Sequence, residues 1–387
     1  MAKNERDHID DLRGASRLAV EATRGIAALV EKMHLTIASG PAILGQPLAG
    51  PARLATGAVY ASIDGIAKLV GAGLDVALAQ LAPLIKASEP GAQREAVQAV
   101  LNGVLGDYLR ETANPLAIEM ELRRRSAEAT AKIAVLVHGS SMTDAQFTRG
   151  GHDHGAALAR DLGYTPVYLR YNRGLHVSTN GWAFAAKLDE LVASWPVAVD
   201  ELVLIGHSMG GLVARSACHV AGADGLGWPA KLRALVTLGT PHHGAPLERG
   251  GNWFEQLLDV SPYSAPLGVL GRIRSAGVTD LRYGNVLDEH WQGRDRFEPG
   301  GDTRTPCALP TNVRCCAIAG TLSTKDGPRL RGDGLVPVDS ALGRHARPEL
   351  HLGFPDEQCR IAFGTGHLHL LGEPVYATLH GWLATQP

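Results

Sequence analysis

The hydrophobic pattern changes character near residue 125. Before it, apolar residues recur every three or four positions, first through Leu12, Ala15, Ala19, Ala22, Ile26, Leu29, Met33 and Ile37. A second run takes in Val59, Ile63, Ile66, Val70, Leu74, Leu78, Leu81 and Ile85, and a third Val97, Val100, Leu101, Val104, Leu105 and Tyr108. Such spacing lays an apolar stripe along one face of a helix. Prolines and glycines in Gly40–Pro51 mark a connection. The charged run Glu121–Arg125 is expected to be a solvated helix end or linker.

From Lys132 onward the runs are short and continuous instead. Lys132–Val137 is apolar after its first residue and ends at His138-Gly139, as a strand buried on both faces should be. Similar runs recur at Thr165–Tyr171, Glu201–Ile205, Leu232–Leu238 and Val313–Ala319, with helix-like stretches such as Trp182–Trp195 and Leu212–Val220 between them. That alternation predicts an α/β fold with a mostly parallel, doubly wound sheet. The division expected is a helical segment over residues 1–125 and an α/β domain over 126–387. Between Pro246 and Pro310 the pattern dissolves into glycine, proline and arginine, which suggests an inserted lid.

Composition narrows the classes of function. With 387 residues, 45% hydrophobic and 20% charged, the chain can bury one large domain plus an additional segment. A formal net charge of -2 without a basic stripe gives no reason to expect a nucleic-acid partner. The first residues mix both charge signs and lack the apolar core of a secretory signal. Cys218, Cys307, Cys315, Cys316 and Cys359 are odd in number and form no CxxC pair. They read as reduced structural thiols, and a cytoplasmic location is the expectation.

Chemistry concentrates in Glu201–Gly211. An apolar strand runs into Gly206-His207-Ser208-Met209-Gly210 and then into the helix start Leu212-Val213-Ala214-Arg215. A serine at a strand-to-helix elbow is thrust out of the sheet edge, and the flanking glycines avoid Cβ clashes. The free N–H groups of the helix start favour developing negative charge there.

With its strand and helix, this motif resembles the α/β-hydrolase superfamily, in particular bacterial lipases and esterases related to the GPI inositol-deacylase group. The resemblance spans about Lys132 to Trp382. It implies an α/β-hydrolase fold with an N-terminal helical extension and an inserted lid. Val137-His138-Gly139 is similar to the family's oxyanion strand end, which implies backbone N–H donors at Ser140 and Met209. Leu238-Gly239-Thr240-Pro241-His242-His243-Gly244 is similar to the strand end beside the nucleophile. His138, His207, Thr240 and His242 are the candidate substrate-binding residues.

In this superfamily the acid follows the serine and the histidine comes last. Gly332-Asp333-Gly334-Leu335-Val336 resembles the acid loop, and Gly366-His367-Leu368-His369-Leu370-Leu371 the histidine stretch. The resemblance thus implies a Ser208–Asp333–His367 triad, with His369 as the alternative base and Asp302, Asp326, Asp339 and Asp356 as weaker acids. Calcium-dependent lipases carry an acidic ligand where this chain has His369, and a hard cation prefers oxygen donors. His152 and His154 lack a full ligand set. No metal and no cofactor is expected.

These residues imply a serine esterase or lipase taking an ester or lipid substrate. The same triad would serve acyl transfer or thioester hydrolysis, and a non-catalytic binding relative is the reading from another class. Trp253, Phe254, Leu257, Leu258, Val260 and Leu267 would either line an acyl pocket or form the lid's own core. The N-terminal helices suit packing on the domain, self-association, or contact with a lipid or polymer surface; the sequence leaves these open.

Overall fold

A computed structural model describes residues 92–126, 128–140, 142–245, 275–296, 301–327 and 330–385. The two periodic runs before residue 92, and the lid residues Trp253, Phe254, Leu257, Leu258, Val260 and Leu267, lie outside these. From residue 98 onward the described residues belong to one compact unit, 98–260 with 274–387; residues 92–97 fall in the other.

Seven strands form a single sheet: β1 (Glu121–Arg124), β2 (Lys132–Val137), β3 (Thr165–Arg170), β4 (Glu201–His207), β5 (Leu232–Leu238), β6 (Arg314–Thr321) and β7 (Cys359–Phe363). Their order is β1-β3-β2-β4-β5-β6-β7. All neighbours run parallel except β1, which pairs antiparallel with β3. This is the mostly parallel, doubly wound sheet of the α/β-hydrolase fold that the chain's resemblance implies. The irregular interval after Pro246 falls between β5 and β6.

Parallel strands are buried on both faces, and their side chains alternate between two cores. Ile133, Val135 and Val137 of β2 join Leu202 and Leu204 of β4 on one face. There they meet Phe184 and Leu188 of α3 (Val177–Ala193) and Leu212 and Val213 of α4 (Met209–Asp224). Ala134, Leu136, Val203 and Ile205 point the other way, towards Leu158 of α2 (His154–Leu162) and Tyr376 and Leu379 of α5 (Glu373–Ala384). At about 25 cal/mol per Å² of apolar surface removed from water, these two layers are the main driving force for the fold.

The charged run at 121–125 is a correction to the sequence reading: four of its residues are a strand. Glu121 pairs with Arg170 and Arg124 with Val167 across the ladder. An edge strand has one open side, so its backbone can pair while charged side chains stay solvated. Leu122 packs on the core edge, and the guanidinium of Arg124 lies over the Trp195 ring.

Helix α1 (Ala92–Glu111) precedes this strand. Asn102, wholly buried, fixes it: its amide donates to the Leu116 carbonyl at 2.8 Å and its Oδ1 accepts from Ile118 N–H at 2.8 Å. Truncating Asn102 would leave a buried N–H with no acceptor, which costs about 1–3 kcal/mol. Asn102→Ala should therefore lower the unfolding free energy by about 2 kcal/mol in guanidinium titrations. A loss within experimental error would show that this amide does not anchor α1.

Candidate active site

Strand β4 delivers His207, and one residue later the chain enters α4. Ser208, at the turn, has φ 54 and ψ -126, a conformation that is costly for any residue with a Cβ. Its N–H donates to Leu238 O at 2.9 Å, so the end of β5 pins the turn. A Cβ on Gly206 would come within 2.4 Å of Gly211 Cα, and one on Gly210 within 2.1 Å of Val137 O. Both glycines are therefore required by backbone that passes too close for any side chain. Ser208 is the N-cap of α4 but makes no capping bond with its side chain. Its hydroxyl is not spent on the helix.

Two further groups gather at the same C-terminal sheet edge, where parallel α/β sheets carry their sites. Asp333 lies in the loop after β6 and His367 in the 3-10 turn after β7. His367 Nδ1 donates to Asp333 Oδ2 at 2.7 Å, and His367 N–H donates to Asp333 O at 2.9 Å. Asp333 Oδ1 accepts from the N–H groups of Leu335 and Val336 at 2.9 and 2.8 Å. Both side chains are buried, with the residues 3% and 5% exposed. Burial alone would raise the Asp333 carboxyl, but the His367 ring and the two N–H donors hold it below the usual carboxylate value. The pair sits against Gly239, since a Cβ there would lie 3.0 Å from Asp333 Oδ2 and 3.2 Å from His367 Nδ1. Gly239 directly follows Leu238, the residue that pins Ser208, so all three predicted residues converge on the end of β5.

The rival groups are placed elsewhere. His369 is exposed, as are Asp326, Asp339 and Asp356, and Asp302 is paired with Arg304. His152 Nε2 and His154 Nδ1 lie 2.9 Å apart, and His154 Nε2 donates to Leu370 O.

Ser140 follows Gly139, where an added Cβ would stand 2.8 Å from Ser208 Cβ. The 138–140 turn thus touches the serine. Met209 is the first residue of α4, and a first-turn N–H has no acceptor within its own helix. Both segments therefore lie beside Ser208.

The four candidate substrate-binding side chains are all buried. His207 is fully buried; its Nε2 donates to His367 O at 3.0 Å, and burial drives its pKa down to about 3. It is a neutral strut between the serine strand and the His367 turn. His242, also fully buried, has its ring nitrogens against Arg215 Nη1 and Thr237 Oγ1. Thr240 packs on α4, where a Cβ at Gly211 would meet its Oγ1 at 2.0 Å. The His138 ring is 2% exposed and stacks on Tyr171 with centroids 4.7 Å apart. Closeness in sequence to a sheet edge does not fix which way a side chain points, and each of these four packs against protein groups. Sequence reasoning passed over Tyr171 and Arg173, which hold the carbonyls of His138 and Met142. The available signal was a polar cluster, Asn172-Arg173-Gly174, directly after an apolar strand.

Residues 186–293 match a family model described as PGAP1-like alpha/beta domain. No curated protein matches the chain. Among solved structures, the mature Bacillus licheniformis lipase BlEst2 is similar at 19% identity and a TM-score of 0.46, covering 69% of this chain and 98% of its own. The type II thioesterase YbtT of the yersiniabactin pathway is 15% identical with a TM-score of 0.41, over 69% and 97%. Phospholipase PlaB from Legionella pneumophila is 19% identical with a TM-score of 0.35, over 55% and 46%.

Because Asp333 is held below its unfolded-state value of about 4, its stabilising contribution is complete above that pH and disappears as pH falls through the folded-state value. Unfolding titrations from pH 3 to 7 should show Asp333→Asn losing stability mainly at the upper end, with a shallower acid-side slope than the parent. Parallel pH profiles would remove Asp333 from the acid-sensitive set.

Proposed function

We propose that this chain is a member of the α/β-hydrolase superfamily and a serine carboxylic-ester hydrolase, an esterase or lipase that works through an acyl-enzyme on Ser208. His367 Nε2, the ring nitrogen that Asp333 does not engage, takes the Ser208 hydroxyl proton as Oγ attacks the ester carbonyl. Asp333 holds the Nδ1–H tautomer and stabilises the imidazolium that forms. The carbonyl oxygen, now negative, accepts hydrogen bonds from the N–H groups of Ser140 and Met209. The tetrahedral adduct collapses, the C–O bond to the alcohol breaks, and His367 returns the proton to the leaving oxygen. Water then enters: His367 removes its proton, its oxygen attacks the acyl carbonyl, and the proton returns to Ser208 Oγ as the carboxylic acid leaves.

The observation that carries this reading is the buried Asp333–His367 pair, 2.7 Å apart, on the same sheet edge as the strained Ser208 turn. A serine kept merely for packing needs neither a positive φ nor a neighbouring carboxylate–imidazole pair.

p-Nitrophenyl esters from acetate to palmitate are the direct test. The intact chain should hydrolyse part of the series, and Ser208→Ala should lower kcat by at least about a thousandfold. A preference for short acyl groups would mark an esterase and for long ones a lipase. Equal rates for parent and Ser208→Ala would overturn the assignment of the nucleophile.

A further inference from the structure

The turn that carries Ser140 is fastened at three points by side chains with no part in the proton transfers. His138 Nδ1 lies 2.9 Å from Gly139 O. A carbonyl oxygen only accepts, so the ring proton is on Nδ1 and donates. Burial, with Arg173 nearby, holds the His138 pKa well below its usual value, so the ring is neutral with one N–H to give. Gly139 O and Ser140 N–H belong to the same trans peptide and point in opposite directions. Fixing the oxygen fixes the direction of the N–H.

The next fastening lies one residue upstream. Tyr171 Oη donates to His138 O at 2.7 Å, and its ring stacks on the His138 imidazole. Two residues later in the same loop, Arg173 Nη1 donates to Met142 O on the far side of the turn, and its Nη2 donates to Ala99 O in α1. Arg173 is 1% exposed and forms no ion pair among the described residues; its Nε has no hydrogen-bond partner. Burying a guanidinium without a carboxylate is expensive. A neutral side chain would fill the space at lower cost, so the charge is retained for the two carbonyls it joins.

We propose that Tyr171 and Arg173, together with the His138 ring, are positioning residues that hold the Gly139–Ser140 peptide as an oxyanion donor, and that Arg173 ties this donor to helix α1. The inference rests on the ester hydrolase reading and adds to it a region outside the resemblance. Helix α1 thereby supports the oxyanion turn through the carbonyl of Ala99. The same loop and helix also meet through Asn172, whose amide donates to Gly106 O at 2.8 Å.

The test uses the full chain with Tyr171→Phe and Arg173→Lys. A fluorophosphonate, detected by mass spectrometry on Ser208, counts active nucleophile in each protein. Kinetics are then measured on whichever p-nitrophenyl ester the parent hydrolyses, together with inhibition by an alkyl trifluoromethyl ketone, whose hemiketal places an oxyanion in the site. Removing one oxyanion donor outright lowers kcat on the order of 100- to 1000-fold; misaligning one should lower it about tenfold or more. The expected result is that fall in kcat per labelled site, KM within twofold, and a matching loss of ketone affinity. A purely structural role would reduce the labelled fraction while leaving the ketone affinity per site unchanged, and that result overturns the proposal. Tyr171→Phe deletes a single oxygen, so it serves as the readout where Arg173→Lys folds poorly. Absence of labelling in the parent chain would overturn the hydrolase reading itself and this inference with it.

Discussion

Ser208 is held in a backbone conformation that costs about 1–3 kcal/mol for a residue bearing a side chain. Three segments keep it there: the Leu238 carbonyl at the end of β5 takes its N–H, the end of β2 closes over Gly210, and α4 begins at the next residue. None of these can shift alone, because β2 and β5 flank β4 in the middle of the sheet. The central strands thus act as a vice, and the strain is borne by the pairing of the most buried part of the fold. The Asp333–His367 pair and the 138–140 turn are both assembled against that fixed point.

Much of the fold was legible along the chain because burial on two faces leaves a continuous apolar signature. β2, β4 and β5 each announce themselves that way, and so does the helix start after Ser208. β1 does not, since a strand at the sheet's rim is specified by its backbone pairing with β3 while Glu121, Arg123 and Arg124 keep their charges in solvent. Asp333 and His367 could be ordered by resemblance to a family, yet their contact bridges 34 positions of sequence and no local pattern encodes it. The surroundings of His138, His207, Thr240 and His242 were not legible in the sequence for a related reason. Each adjoins the site in sequence, but side-chain direction at a strand end depends on neighbours far along the chain, such as the carbonyl of His367, 160 positions away, that receives His207.

Helix α1 changes meaning once the contacts are seen. From sequence it belongs to an appended helical segment. In the structure, its residues from 98 onward belong to the same compact unit as the sheet, anchored by Asn102 and gripped by Arg173 through Ala99. The polar groups responsible are buried and nearly all satisfied, which gives a unique seating that apolar packing alone would specify less sharply.

The position of β7 at the far rim has a consequence for synthesis. Strands β2 to β5, which build the serine turn, are complete by residue 238, whereas the imidazole arrives only at 367, beyond the last strand. The residues of the elbow therefore precede the imidazole by well over a hundred positions. On the proposed mechanism, a chain stopped short of Cys359 would carry Ser208 without the imidazole that takes its proton. On the proposed mechanism, Ser208 therefore stays inert until His367 has been made and seated beside Asp333.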